Sequence, residues 1–185
     1  KGSLYGFDNQ MRKKSGTFYE EVKSTLKETA FLHMDETGWP NDGKNYWLWC
    51  MTNAELVFYH IDKRRSSMVV KEIVGKDYEG IILSDFLSAY SSLAFRKQKC
   101  LVHLLRMLKR LEDRFPGSSR VRMFCSKMEK LTKAIIAVKK KQISRVRFLE
   151  ISGDIKFQLK TLLSDPLPYP KADKFRKKLN KIQQE

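Results

Sequence analysis

Residues 30–36 read AFLHMDE, residues 45–52 NYWLWCMT and residues 55–61 ELVFYHI, with turn signals at Pro40–Gly43 and Asn53–Ala54 between them. All three segments are rich in aromatic and β-branched residues, which fit a pleated and half-buried surface, and the short separations join them as an antiparallel meander. Upstream, Thr17 and Glu20 have the spacing of a capping box, and Phe18, Tyr19, Val22 and Leu26 fall near one helical face, so a helix is expected over 17–29. Downstream, Ser66 or Ser67 can cap a short helix containing Met68, Val69, Val70, Ile73 and Val74, which ends at Gly75. GIILS at 80–84 has the compact pattern of a buried strand and leads into Asp85. A helical stretch near 86–95 and a fifth strand around 98–102 are expected next.

From there the period becomes helical. Leu101, Leu104, Leu105, Leu108 and Leu111 form one apolar stripe, and His103, Arg106 and Arg110 lie on another face. Pro116-Gly117 breaks the chain, 118–140 and 142–163 are long Lys- and Arg-rich helical patterns, DPLPYP at 165–170 is a rigid connection, and a last basic helix starts near 171. No repeat or low-complexity segment is visible. The sequence therefore predicts an α/β half followed by a helical half.

Of 185 residues, 42% are hydrophobic, enough for a core, so a wholly disordered basic tail is excluded. No apolar run approaches the roughly 20 residues that span a bilayer, and no apolar leader follows a basic start, which predicts a soluble protein that is not exported. The net charge of +16 is concentrated: residues 1–95 hold 12 basic and 13 acidic side chains, residues 96–147 hold 17 and 3, and residues 148–185 hold 8 and 5. A block of +14 attracts polyanions, of which nucleic acid is the commonest; a solvated helical face is the alternative. Cys50, Cys100 and Cys125 are too few for a disulfide framework and read as reduced thiols of a cytosolic protein.

Two carboxylates stand out. Asp35 is expected at the end of the first strand and Asp85 at the end of the fourth, each after apolar residues, in LHMD and IILSD. A carboxylate ending a buried strand is costly unless it is solvated, hydrogen-bonded or bound to a cation. On neighbouring strands roughly 5 Å apart the two could converge on Mg²⁺ or Mn²⁺, hard ions that take oxygen ligands. The alternative is capping, Asp35 toward Thr37 and Asp85 for a helix from Phe86. Their joint placement beside the basic segment favours the metal reading. Glu36 would point to the opposite face from Asp35 and reads as supporting or structural.

Cys100-Leu-Val-His103 resembles half a zinc site, but no second Cys/His pair accompanies it, since Cys125 is alone and His33 and His60 lack partners at ligand spacing. His103 is either a hydrogen-bonded structural residue at a helix start or a holder of phosphate or of a catalytic carboxylate, with Arg106 on the same face. Trp47 and Trp49 alternate in one strand and should fill a sheet face. There is no glycine-rich phosphate loop and no Ser/His/Asp constellation of recognisable spacing.

HMDETGWP at 33–40, the following YWLWCMT, LSDFLSAY at 83–90 and CLVHLLR at 100–106 resemble, in order and spacing, the catalytic core of the insertion sequence 66 family of bacterial transposases. The resemblance implies a ribonuclease H-like fold, a mixed sheet of an antiparallel three-strand meander plus two parallel strands with a helical insertion. It implies that the first and fourth strands are adjacent and carry two acids of a metal-binding Asp/Asp/Glu triad, matched here by Asp35 and Asp85. It also implies a Cys-x-x-His element, matched by Cys100 and His103, and a helical insertion before the helix that bears the third acid.

The resulting expectations are a helical segment over 1–29, a catalytic core over 30–111, a basic helical insertion over 112–170 and the start of a C-terminal helix over 171–185. The third acid normally sits in an Asn-Asn-x-x-Glu type motif, and none occurs before Glu185, while Glu112 and Glu150 lie in ordinary helical contexts. The chain is therefore expected to be a fragment, or a remnant of a decayed element. In the complete protein Asp35, Asp85 and His103 would serve DNA cleavage and strand transfer, with Asp35 and Asp85 holding two Mg²⁺ or Mn²⁺ ions. Arg106, Lys109, Arg110, Arg120 and Arg122 would contact DNA of transposon ends and target. The active complex would be a homo-oligomer, cytoplasmic and nucleoid-associated. The competing expectation is a non-catalytic nucleic-acid-binding or regulatory relic, and a nuclease of the same fold with another substrate is a third.

Overall fold

A computed structural model describes residues 2–139 and 143–182 of the chain. Residues 1, 140–142 and 183–185, at the ends of expected helical segments, lie outside the described residues. The chain forms two compact units, Lys1–Cys100 and Leu101–Glu185.

In the first unit, α1 (Gly2–Lys27) precedes β1 (Phe31–Asn41), β2 (Lys44–Thr52), β3 (Val57–Asp62), α2 (Ser67–Val74), β4 (Ile81–Ser84), α3 (Ser88–Ser91) and β5 (Arg96–Lys99). The strands form one sheet in the order β3-β2-β1-β4-β5. β1, β2 and β3 pair antiparallel as the meander requires, and β4 joins β1 and β5 in parallel. This is the ribonuclease H-like mixed sheet expected, with the first and fourth strands adjacent.

Strand alternation sorts the side chains. Leu32 and Met34 of β1, Trp49 and Met51 of β2, Phe58 of β3 and Ile82 of β4 are buried together with Leu26 of α1 and Val69, Val70, Ile73 and Val74 of α2. The opposite parity gives Phe31, Val57, Tyr59 and Ile61, all exposed. Trp49 fills the core face as expected, and Trp47 packs partly buried against the same core.

Several boundaries differ from the sequence reading. α1 begins at Gly2, so Thr17 and Glu20 sit inside a helix and cap nothing. The preceding Asn9-Gln-Met-Arg-Lys-Lys14 contains good helix formers, and a helix once nucleated extends at little cost. β1 runs through Pro40 to Asn41, and only Asp42 and Gly43 turn, both with positive φ (49° and 69°). That is the backbone of a two-residue hairpin loop whose twist matches the strands. Asp35 is therefore mid-strand.

α3 is a single turn, because β5 must start at Arg96 to pair with Ile81. β5 spans Arg96–Lys99, earlier than the strand expected around 98–102. The Cys100 N–H donates to the Ser84 carbonyl at 2.8 Å and the helical stripe begins at once. Gly80 is obligatory: a Cβ there would collide with the Tyr78 ring and the Thr29 carbonyl.

The second unit contains α4 (Leu101–Arg114), α5 (Ser119–Lys139), α6 (Arg145–Ser164) and α7 (Pro170–Ile182), each packed on the next. Leu104, Leu108 and Leu111 of α4 and Val121, Phe124, Cys125 and Met128 of α5 are buried. Around the Pro-rich connection Phe115 stacks on Tyr169 at 4.7 Å, and the buried Arg176 donates to Asp173 and to the Leu163 carbonyl. Arg176 and the Leu167 N–H hold the Asp173 carboxyl well below the usual range. Among the described residues no helix is long and apolar enough to cross a membrane.

Candidate metal centre

The β1–β4 register pairs Phe31 with Ile81, Leu32 with Ile82, His33 with Leu83 and Met34 with Ser84. Asp35, further along β1, and Asp85, just after β4, are the next residue of each segment. They thus leave the parallel pair at the same level, on chains whose spacing is about 4.8 Å. Asp35 is exposed, and its Oδ1 accepts from the Glu36 N–H at 3.0 Å. Asp85 is half-buried, and its Oδ1 accepts from the Leu87 N–H at 2.7 Å. The capping reading of Asp85 is therefore met in part: it closes an Asx turn onto Leu87, the N-cap of the short α3. The hard-oxygen chemistry of both carboxylates suits Mg²⁺ or Mn²⁺. Among the described residues no three His, Cys, Asp or Glu side chains gather as a group that could hold a metal ion. The donor set fits a divalent cation in kind and supplies two of the ligands.

Glu36 is on the other side of the strand. Its side chain is 1% exposed, and it accepts from the Tyr90 hydroxyl at 2.6 Å and from Arg65 Nη2 at 2.8 Å and Nε at 3.2 Å. Burial pushes its carboxyl up, the bonds from Tyr90 and Arg65 oppose that shift, and the Asp85 charge adds to it. Tyr90 is fully buried, and its hydroxyl is driven far up by burial first and then by the charge of Glu36, with smaller contributions from Asp85 and Asp35. Its ring meets Trp49 edge-on at 6.2 Å, and the Arg65 guanidinium lies 4.1 Å from the Trp47 ring centre.

Sequence reasoning placed Glu36 on the correct face but missed both of its partners. The available signal was parity: a carboxylate in step with Leu32 and Met34 must be buried and must find donors. Arg64, the neighbour of Arg65, serves another core-face acid in the same way, donating to both oxygens of Asp62 at 2.7–3.0 Å and to both oxygens of Glu72 at 2.6 and 2.9 Å. Arg64 holds the Asp62 carboxyl down to about 2.

The remaining expected residues belong to the second unit. His103 is half-buried on the first turn of α4, and Arg106, Lys109 and Arg110 are exposed further along it. Lys109 pairs with Asp113 at 2.9 Å. Arg120 and Arg122 are exposed on α5. Arg120 bonds Asp165 and the Pro166 carbonyl, and Arg122 bonds the Pro116 carbonyl at 2.6 Å.

The sequence matches the family described as "Transposase IS66 family" over residues 8–184. The chain belongs to that family. A comparison with curated proteins finds no match. Among solved structures, a chain of the cryo-EM structure of the simian T-cell lymphotropic virus intasome in complex with the PP2A regulatory subunit B56 gamma is similar at 17% identity and a TM-score of 0.31, over 48% of this chain and 42% of that one. The HTLV-2 integrase catalytic core domain in complex with magnesium is similar at 13% identity and a TM-score of 0.30, over 53% of this chain and 80% of that one. The strand order and register, and not these likenesses, carry the fold.

Proposed function

We propose that this IS66-family chain is the metal-binding part of a DNA transposase that cleaves phosphodiesters and transfers strands. The observation that supports the reading best is the register: Met34 opposite Ser84 brings Asp35 and Asp85 to one level where the parallel pairing of β1 with β4 ends. When bound, divalent metal supplies Lewis-acid charge at the attacking and leaving oxygens of a phosphodiester. Asp35 and Asp85 hold such ions through oxygens on the exposed side of the sheet. His103 and Arg106 orient phosphate, and Lys109, Arg110, Arg120 and Arg122 contact the DNA backbone. The core corresponds to 30–111 and the basic insertion to 112–170. DNA is the partner, and the active assembly is a homo-oligomer in the bacterial cytoplasm at the nucleoid.

Mn²⁺ titration followed by electron paramagnetic resonance tests this. The wild-type chain should bind weakly, with two carboxylates supplying the site, and Asp35→Asn or Asp85→Asn should abolish binding. Equal Mn²⁺ affinity in all three proteins would refute the centre and favour the non-catalytic reading, which the lack among the described residues of a three-residue group able to hold a metal ion also allows. Salt-dependent DNA binding does not separate the two, since phosphate contacts produce it in both.

A further inference from the structure

We propose that Glu36, held by Tyr90 and Arg65 on the core face of the sheet, is a positioning residue that sets the gap between Asp35 and Asp85. The proposal rests on the metal-centre reading above.

The pairing of β1 with β4 ends at Met34 and Ser84, immediately before the two acids. Beyond that point the backbone ladder leaves their separation to other contacts, and a series of hydrogen bonds runs from one carboxylate to the other. Asp85 Oδ1 accepts from the Leu87 N–H at 2.7 Å, and the Leu87 carbonyl accepts from the Tyr90 N–H at 3.2 Å. The Tyr90 hydroxyl then donates to Glu36 Oε2 at 2.6 Å, and the Glu36 N–H donates to Asp35 Oδ1 at 3.0 Å. Glu36 is the link at which the two chain segments meet.

Its second oxygen is fixed independently. Arg65 donates to Oε1 from two nitrogens while its guanidinium packs on Trp47, and Trp49, between Trp47 and Met51 on β2, meets the Tyr90 ring. A carboxylate held at both oxygens in a buried position has little freedom, and charge-assisted bonds are short and directional. The two stretches that carry this network, Asp35-Glu36 and Asp85 to Tyr90, are 54 residues apart at the Glu36–Tyr90 bond. Glu36 need not touch the metal to act on it, because groups that orient ligating carboxylates commonly change metal affinity 10–100-fold when removed.

The test uses the 185-residue chain and Mn²⁺ alone. Tyr90→Phe keeps the ring and removes the donor, Glu36→Gln keeps an acceptor for Tyr90 and loses the charge toward Arg65, and Arg65→Met breaks the other half of the clamp from an exposed position. Tyr90→Phe should weaken Mn²⁺ affinity about tenfold and Arg65→Met by several-fold, while Glu36→Gln should recover most of the affinity lost in Glu36→Ala. If Tyr90→Phe does not fold, Arg65→Met and the Gln–Ala comparison carry the measurement. A purely structural role predicts lower unfolding midpoints with Mn²⁺ affinity unchanged, and that result overturns the proposal. In that case loss of binding in Asp35→Asn would leave the metal centre itself standing, whereas unchanged binding in Asp35→Asn would refute the centre instead.

Discussion

Asp35 and Glu36 are consecutive carboxylates on one strand, yet the two faces of the sheet treat them in opposite ways. On the core face, Leu32, Met34, Trp49, Met51 and Ile82 are buried, and the acids that share it have dedicated arginines, Glu36 with Arg65 and Asp62 with Arg64. On the other face Phe31, Val57, Tyr59 and Ile61 remain exposed, and Asp35 lies among them. The difference shows how one strand can carry acids of both kinds within a short motif. Burial forces partnership, because an unpaired carboxylate in an apolar setting costs several kcal/mol. Exposure leaves a carboxylate in water, where no dedicated arginine is needed to offset its burial.

The contrast can be broken at several points. Trp49→Ala, on the core face, should cost about 3–5 kcal/mol in urea-induced unfolding, since it empties a fully buried indole site beside Tyr90. Tyr90→Phe should cost about 1–3 kcal/mol, because it strips one donor from a buried carboxylate and leaves the ring packing intact. Loss below about 0.5 kcal/mol would mean that water replaces the hydroxyl and that Glu36 is less isolated than its exposure indicates.

Asp62→Asn should show its effect through pH. Arg64 lowers the folded-state value of Asp62 to about 2 from an ordinary 3.8, so the ionised form favours the folded state. That contribution is complete above about pH 4 and is lost as pH falls through about 2. Wild type should therefore be the more stable at neutral pH, by less than about 1 kcal/mol because Arg64 is exposed to solvent, and the two proteins should converge in acid. Smallest of all, Tyr59→Ala and Asp35→Asn on the exposed face should each change stability by no more than about 0.5 kcal/mol. A large cost for Tyr59→Ala would show that this face is covered in solution.

Much of the sheet was legible in the sequence because its strands advertise themselves locally. The aromatic and β-branched runs around Trp47 and Phe58 carry their own pattern, and GIILS could only be a short buried strand. Where the reading failed, a local signal competed with longer-range pairing. Pro40 looked like a turn, but it occupies a β1 position opposite Asn45, and the loop is carried by Asp42 and Gly43 alone. Thr17 with Glu20 looked like a helix start, but nothing in a capping pattern reports that the helix is already running. Asp35 and Asp85 drew notice through the apolar residues before them and the family spacing, although β1 runs on past Asp35 to Asn41. Tyr90 and Arg65 did not, because their bonds to Glu36 span 54 and 29 residues and leave no periodic trace.

The two-residue Asp42-Gly43 loop has a consequence well away from itself. It fixes which residue of β1 faces which residue of β2, from Asn41 opposite Lys44 back to His33 opposite Thr52. Since side chains alternate with a period of two, a slip by one position turns every residue of the strand over. Asp35 and Glu36 would then trade places, the shorter acid falling into the Tyr90–Arg65 clamp and the longer one emerging into solvent. The hairpin loop thus acts as an addressing device: deleting one glycine at the far end of the arm would exchange the faces of two neighbouring carboxylates without altering a single acidic residue.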